Sequence, residues 1–201
     1  MTSDIINKIF DWLIAFLVSG LLVWFGITQP VFSFFSESSV PEIDTKKLQK
    51  HVEELSQTYA PRTPELEGIR PAAHYIYRQL TKAGQTSGKK PKYQAFWTMG
   101  GGRYSNVIFQ LGPATAETIV IGAHYDTHNS FPGADNNASG VATLIELARS
   151  LSVVEKDLPI RVELVAYALS EGSVLGTKDM GSFKHAKMLK RKNREVKLMI
   201  S

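Results

Sequence analysis

The 201-residue sequence predicts an α/β domain. Its expected form is a three-layer αβα stack around a mixed, mostly parallel sheet, preceded by one transmembrane helix. Three observations carry this. Residues 12–35 hold no formal charge. From about residue 44 onward, segments of helical period alternate with short apolar runs, the pattern of strands with helices packed on both faces. Two of those runs end in polar clusters, "HYDTH" and "LSEGS", and open sheets of this kind place ligands beyond the carboxyl ends of their strands.

The N-terminal run comes first. A helix crossing hydrocarbon needs about 20 mostly apolar residues. Asp11 and Pro30 bracket residues 12–29, and Trp12 and Trp24 suit the two interfaces. A buried core helix rarely stays apolar all round at this length. A cleaved signal peptide would have a weak basic region and no Ala-x-Ala site. The expected organisation is a short tail at 1–11, an anchor at 12–29, a tether at 30–43 containing "SESSVP", and a domain at 44–201. Lys8 before the span and the acidic stretch 37–44 after it place the domain on the extracytoplasmic side of a single-pass membrane protein.

Within the domain, Leu48, Val52, Leu55 and Tyr59 fall at helical spacing, with Asp44 or Thr45 as cap and Pro61 as stop. A second helix is predicted from about Pro71 to Leu80, with Gly84 past its end. Strands follow at Lys92–Trp97, Asn106–Leu111 and Thr118–Ala123, the last apolar on both faces and therefore central. The glycine run in "MGGGRYSN" reads as a hairpin or bend between strands. Then come a helix at Ala138–Leu151, a buried strand at Ile160–Leu169, a helix at Met180–Lys192 and a strand at Glu195–Ile200.

Composition narrows the chemistry. There is no cysteine, which removes disulfides, thiolate zinc sites and cysteine nucleophiles. The net charge of +4 comes largely from bunches at 89–92 and 184–194. Neither is interleaved with aromatics, so both read as solvated faces and no nucleic-acid partner is expected. "GTKDMG" lacks the eight-residue phosphate loop. Ser170 and Ser173 lack a nucleophile elbow. His51, His74 and His185 lie on predicted helices as surface or packing residues.

His124 is a candidate zinc ligand. Asp126, two residues on, can hydrogen-bond its second ring nitrogen, the carboxylate support that fixes a ligand's tautomer. His128 sits in the following loop, either a plain loop residue or an accidental ligand. Alone, His-x-Asp is a weak signal. Here strand, "GAHYDT", loop, "GADNNASG" and helix come in order and are followed by "VAYALSEGSVLGTKDMGS".

That series, with "YAPR" after the first domain helix, resembles the metallopeptidase family of aminopeptidase Y and the bacterial leucyl aminopeptidases, over most of the chain after about residue 44. The resemblance implies a zinc aminopeptidase-like fold and hydrolysis of N-terminal peptide bonds by water held between two zinc ions. It implies that His124 and Glu171 match zinc ligands and that Asp126 matches the aspartate behind the histidine. The family's bridging carboxylate falls on Asn136, and its general-base glutamate falls on Ser170. It also implies two further ligands, an acidic residue after the next strand and a later histidine. The chain reaches Ser201 before either, so a C-terminally incomplete domain with an exposed final strand and marginal stability is expected.

A bridging ligand must offer an anionic oxygen to each of two cations about 3.5–4 Å apart. Asparagine is neutral, with one carbonyl oxygen. Asp135 is adjacent but expected to point elsewhere; rescue would need it, or His128, to move in. A serine at 170 cannot take a proton near neutral pH, and a positioned base is worth roughly 10²–10⁴ in rate. Weak or no zinc binding is therefore expected. Two functions stay open. One is a membrane-anchored zinc aminopeptidase acting on peptide N-termini with donors supplied from elsewhere. The other, favoured by the substitutions, is a catalytically dead relative, a pseudoenzyme that binds peptides or other partners.

Overall fold

The computed structural model describes residues 2–28, 42–66, 68–114 and 117–201. It divides into two compact units, within residues 1–38 and 39–201. Most of the expected tether lies outside the described residues.

The first unit is helix α1 (Thr2–Thr28). It continues back through Asp11, because one acidic side chain in a run this apolar does not break helical hydrogen bonding. Ile5–Thr28 is long and apolar enough to cross a membrane, and its side chains are exposed throughout. A helix of this length that is apolar on every face suits a membrane span or a signal sequence.

The second unit begins with α2 (Thr45–Glu53), whose first turn is capped by Asp44 accepting from the Lys46 N–H at 3.0 Å. A wider turn at Glu54–Thr58 carries it toward Pro61, which follows a cis peptide bond. Helix α3 (Ile69–Ala83) closes at Gly84. Strands β1 (Lys92–Trp97) and β2 (Arg103–Leu111) form the hairpin expected around the glycine run. Next come β3 (Thr118–His124), α4 (Ser139–Val153), β4 (Arg161–Tyr167), α5 (Gly181–Arg191) and β5 (Val196–Ile200).

The sheet order is β1-β2-β4-β3-β5. The centre is parallel, β4 with β3 and β3 with β5. The β1–β2 pairing is antiparallel, as a tight hairpin requires, and β2 also runs antiparallel to β4. Alternate residues build the two faces. Val107, Phe109, Val162, Leu164 and Ala166 join the core with α2, α3 and α4, and Ile108, Val165 and Tyr167 meet Leu189 of α5. Strand β4 is buried at every position, as a strand covered on both faces must be. Strand β5 forms the opposite edge, and Val196, Leu198, Met199 and Ile200 remain 40–49% exposed.

Two of the helical histidines are buried in polar networks. His51 lies between the Tyr75 hydroxyl at 2.6 Å and Glu146 at 3.1 Å. His185 lies between Tyr167 and Glu163, both at 3.1 Å. His74 stays on the surface.

Candidate functional site

The parallel register pairs His124 with Tyr167, so the clusters after β3 and β4 emerge side by side. Asp126 ties them together. Asp126 is 2% exposed, and its Oδ2 accepts from the Ser170 N–H at 2.7 Å and the Glu171 N–H at 2.9 Å. Leu169 turns the chain for this with a φ of +59°. A bulky residue held in that region is typical of sites whose surroundings fix the backbone. Asp126 also stands behind His124, its Oδ1 3.5 Å and its own carbonyl oxygen 3.1 Å from Nδ1. The longer contact is chiefly one of charge, since Oδ1 has no hydrogen-bond partner.

The facing loop is held by Arg62, which is fully buried. Its guanidinium donates to the carbonyls of Tyr125 at 2.7 Å, Leu55 at 2.5 Å, Pro132 at 2.8 Å and Gly133 at 2.9 Å. Burial pushes its pKa down to about 10, against the pull of Asp126. Five donors in a rigid fork suit a ring of main-chain oxygens. Gly133, with φ of +63°, is packed so closely that a Cβ would lie 2.4 Å from Thr127 Cγ2 and 2.8 Å from Arg62 Nη2. Beyond it, Asn136 and Asn137 leave helical geometry and are joined by a cis peptide bond. Asn137 Oδ1 accepts from the Gly140 N–H at 3.0 Å in the first turn of α4.

The loop delivers the Asn136 carboxamide between the two strand ends. His124 Nε2 lies 2.8 Å from Asn136 Oδ1, and Asn136 Nδ2 donates to Glu171 Oε1 at 3.0 Å. A carboxylate only accepts, so the amide must turn its NH₂ toward Glu171 and its oxygen toward His124. That oxygen also only accepts, so His124 Nε2 carries a proton. Burial lowers the His124 pKa, but Asp126, Asn136 and Glu171 together outweigh it and hold it above the ordinary value.

These donors do not fit a two-zinc site. His124 Nε2 is a hydrogen-bond donor, the Asn136 carboxamide beside it is uncharged, and the NH₂ aimed at Glu171 has no lone pair to give a metal. Among the described residues, no group of three or more histidine and acidic side chains is arranged to hold a metal ion.

The expected site residues thus separate. His124, Asp126, Asn136 and Glu171 come together. His128 reaches only to 4.0 Å from Glu171 Oε2 and stacks on Phe131. Asp135 is exposed, and its carboxylate makes none of the contacts around Asn136. Ser170 contributes its main-chain N–H to Asp126. The residue that sequence reasoning left without a role is Arg62; "YAPR" marked its place but not its loop partners some 70 residues away.

The chain matches the model of peptidase family M28 over residues 106–200. It is 34% identical to the uncharacterized protein YfbL of Escherichia coli K12, over 92% of this chain and 59% of that protein. It is 28% identical to leucine aminopeptidase 1 of Ajellomyces capsulatus strain H88, over 79% of this chain and 42% of that protein. The crystal structure of LapB from Legionella pneumophila superposes with a TM-score of 0.63 at 26% identity, covering 79% of this chain and 42% of LapB. The chain therefore spans about half the length of the relatives it matches. Residues 106–200 thus carry the pattern of peptidase family M28, and the αβα sheet agrees with that likeness.

Proposed function

We propose that this protein is a non-hydrolytic member of peptidase family M28, anchored in a membrane by α1, with its domain on the extracytoplasmic side. In this reading it presents the retained site to peptide N-termini, whose ammonium group the Glu171 carboxylate would meet. One observation carries the loss of catalysis. The Asn136 amide lies between His124 and Glu171 and satisfies both by hydrogen bonds. Two divalent cations repel each other unless an anion lies between them. Ser170 in place of a general base removes the second requirement, a group that accepts a proton from water. The apolar length of α1 supports the anchor, and the leucine aminopeptidase relatives support peptide N-termini as the ligand class.

The test is zinc content after equilibration with excess zinc, together with turnover of aminoacyl p-nitroanilides, on the full chain in detergent. The expected result is substoichiometric zinc and no turnover above the blank. Two zinc ions per chain with saturable turnover would sink the proposal. Binding of a peptide with a free N-terminus, but not of its N-acetylated form, checks the ligand class.

A further inference from the structure

A second cleft opens at the same edge of the sheet, on the α3 side. Strand β2 runs antiparallel to β4, so the β1–β2 turn lies at the end where β3 and β4 deliver their polar clusters. Residues of α3, both hairpin strands and Tyr125 enclose about 630 Å³ there, within the range of small-molecule sites.

The lining is unusual in charge and shape. Arg70, His74 and Arg103 border it beside Tyr93, Trp97 and Tyr104, and no carboxylate lines it. Among the described residues, neither Arg70 nor Arg103 has an ion pair or a side-chain hydrogen bond. By contrast Arg62, Arg78, Arg149, Arg161 and Arg194 each donate to a named acceptor. The aromatic wall is already ordered. Tyr93 stacks on Tyr77 with centroids 4.6 Å apart, and the His74 ring meets Tyr93 edge-on at 6.0 Å. Trp97 nevertheless remains 64% exposed and Tyr93 41% exposed. Flat apolar faces left open next to unpaired guanidinium forks are complementary to a ligand that is itself flat and negatively charged.

We propose that this cleft binds a small planar anion, an aromatic ring bearing a phosphate, sulfonate or carboxylate. The ring lies against Tyr93 and Trp97, and the anionic group is held by Arg70 and Arg103. The cleft needs neither metal nor catalysis at His124, so the proposal stands whether or not the protein hydrolyses peptides.

The test uses the full chain in detergent micelles, with ¹⁵N-indole-labelled tryptophan. Phenyl phosphate is the probe, with inorganic phosphate and phenol as the charge-only and ring-only comparisons. The expected result is a saturable shift of the Trp97 indole resonance, with Trp12 and Trp24 unmoved. Each comparison compound binds about tenfold or more weakly, as the loss of one charge-assisted or stacking contact implies. Arg70→Gln and Arg103→Gln each weaken phenyl phosphate by about tenfold, and neither exposed change threatens folding. Equal binding of phenol, or unchanged affinity in both arginine variants, overturns the proposal. So does a Trp97 response to vesicles of anionic lipid with none to phenyl phosphate, which would make this edge a membrane contact instead.

Discussion

His124 Nε2 and Asn136 Oδ1 lie 2.8 Å apart, the separation of a well-formed hydrogen bond. A proton therefore sits where a ligand's lone pair would point. The histidine and the amide satisfy each other, and Glu171 completes the chain at 3.0 Å. Coordination would first have to break this arrangement.

Replacing the amide by a carboxylate tests that directly. Asn136→Asp places an anion between His124 and Glu171 and creates a third oxygen or nitrogen donor, the number a zinc ion normally takes from protein. Zinc affinity is expected to rise by about tenfold or more, given the 10–100-fold effects of altering groups around metal sites. Competition with a chromophoric chelator measures it. Hydrolysis should remain absent in this variant, because Ser170 still supplies no base.

Asp126 holds the strand ends together, and its removal should be costly. Asp126→Ala leaves the Ser170 and Glu171 N–H groups without their acceptor and Arg62 without its nearby anion. Two charge-assisted hydrogen bonds to a buried group imply a loss of about 3 kcal/mol or more. Amide hydrogen exchange should accelerate first at residues 170 and 171, before the rest of β4. Uniform exchange across the sheet would contradict the assigned role.

Gly133 is predicted to tolerate no side chain. Gly133→Ala meets both a left-handed backbone, costing roughly 1–2 kcal/mol, and the contacts with Thr127 and Arg62. The loop should shift and carry Asn136 off His124. In nitrogen-correlated spectra the His124 ring signals would move while those of His185, held between Tyr167 and Glu163, stay fixed.

The buried ionisable groups set the pH dependence of stability. Burial lowers the His51 pKa below its ordinary 6.5, only partly offset by Glu146. The unfolded chain then takes up this proton more readily, so stability is full above about pH 6.5 and declines as pH falls below it. Burial would raise the Glu163 pKa, but His185, Gln110 and Arg161 outweigh it and hold it below its ordinary 4.5. Its contribution is present above about pH 4.5 and lost below. Two acid-side declines are expected in a series of thermal melts, and His51→Gln should abolish the first while sparing the second.

Much of this architecture is legible in the residues. The change from helical spacing at Leu48–Tyr59 to the short apolar runs at 92–97 and 118–123 marks the elements, because burial selects by period. The ends of "TIVIGAH" and "IRVELVAYAL" locate the site, because a parallel pair brings its carboxyl ends to one edge. The partners that hold the site are less legible. His51 meets Glu146 across 95 positions, and Arg62 meets Gly133 across 71. Polar pairing at such separation follows from the assembled fold, and no local spacing encodes it. The hydrogen bonding of Asn136 needed the structure for the same reason: a sequence shows that a charge is missing, not what fills its place.

The grip of Asp126 on the main chain has a consequence for the history of such a site. Every amino acid except proline has the N–H that it requires at 170 and 171, so substitution there changes the chemistry on offer without loosening the frame that displays it. A reactive centre built this way can lose its reagents one at a time and keep its shape, and can regain them by the same single steps.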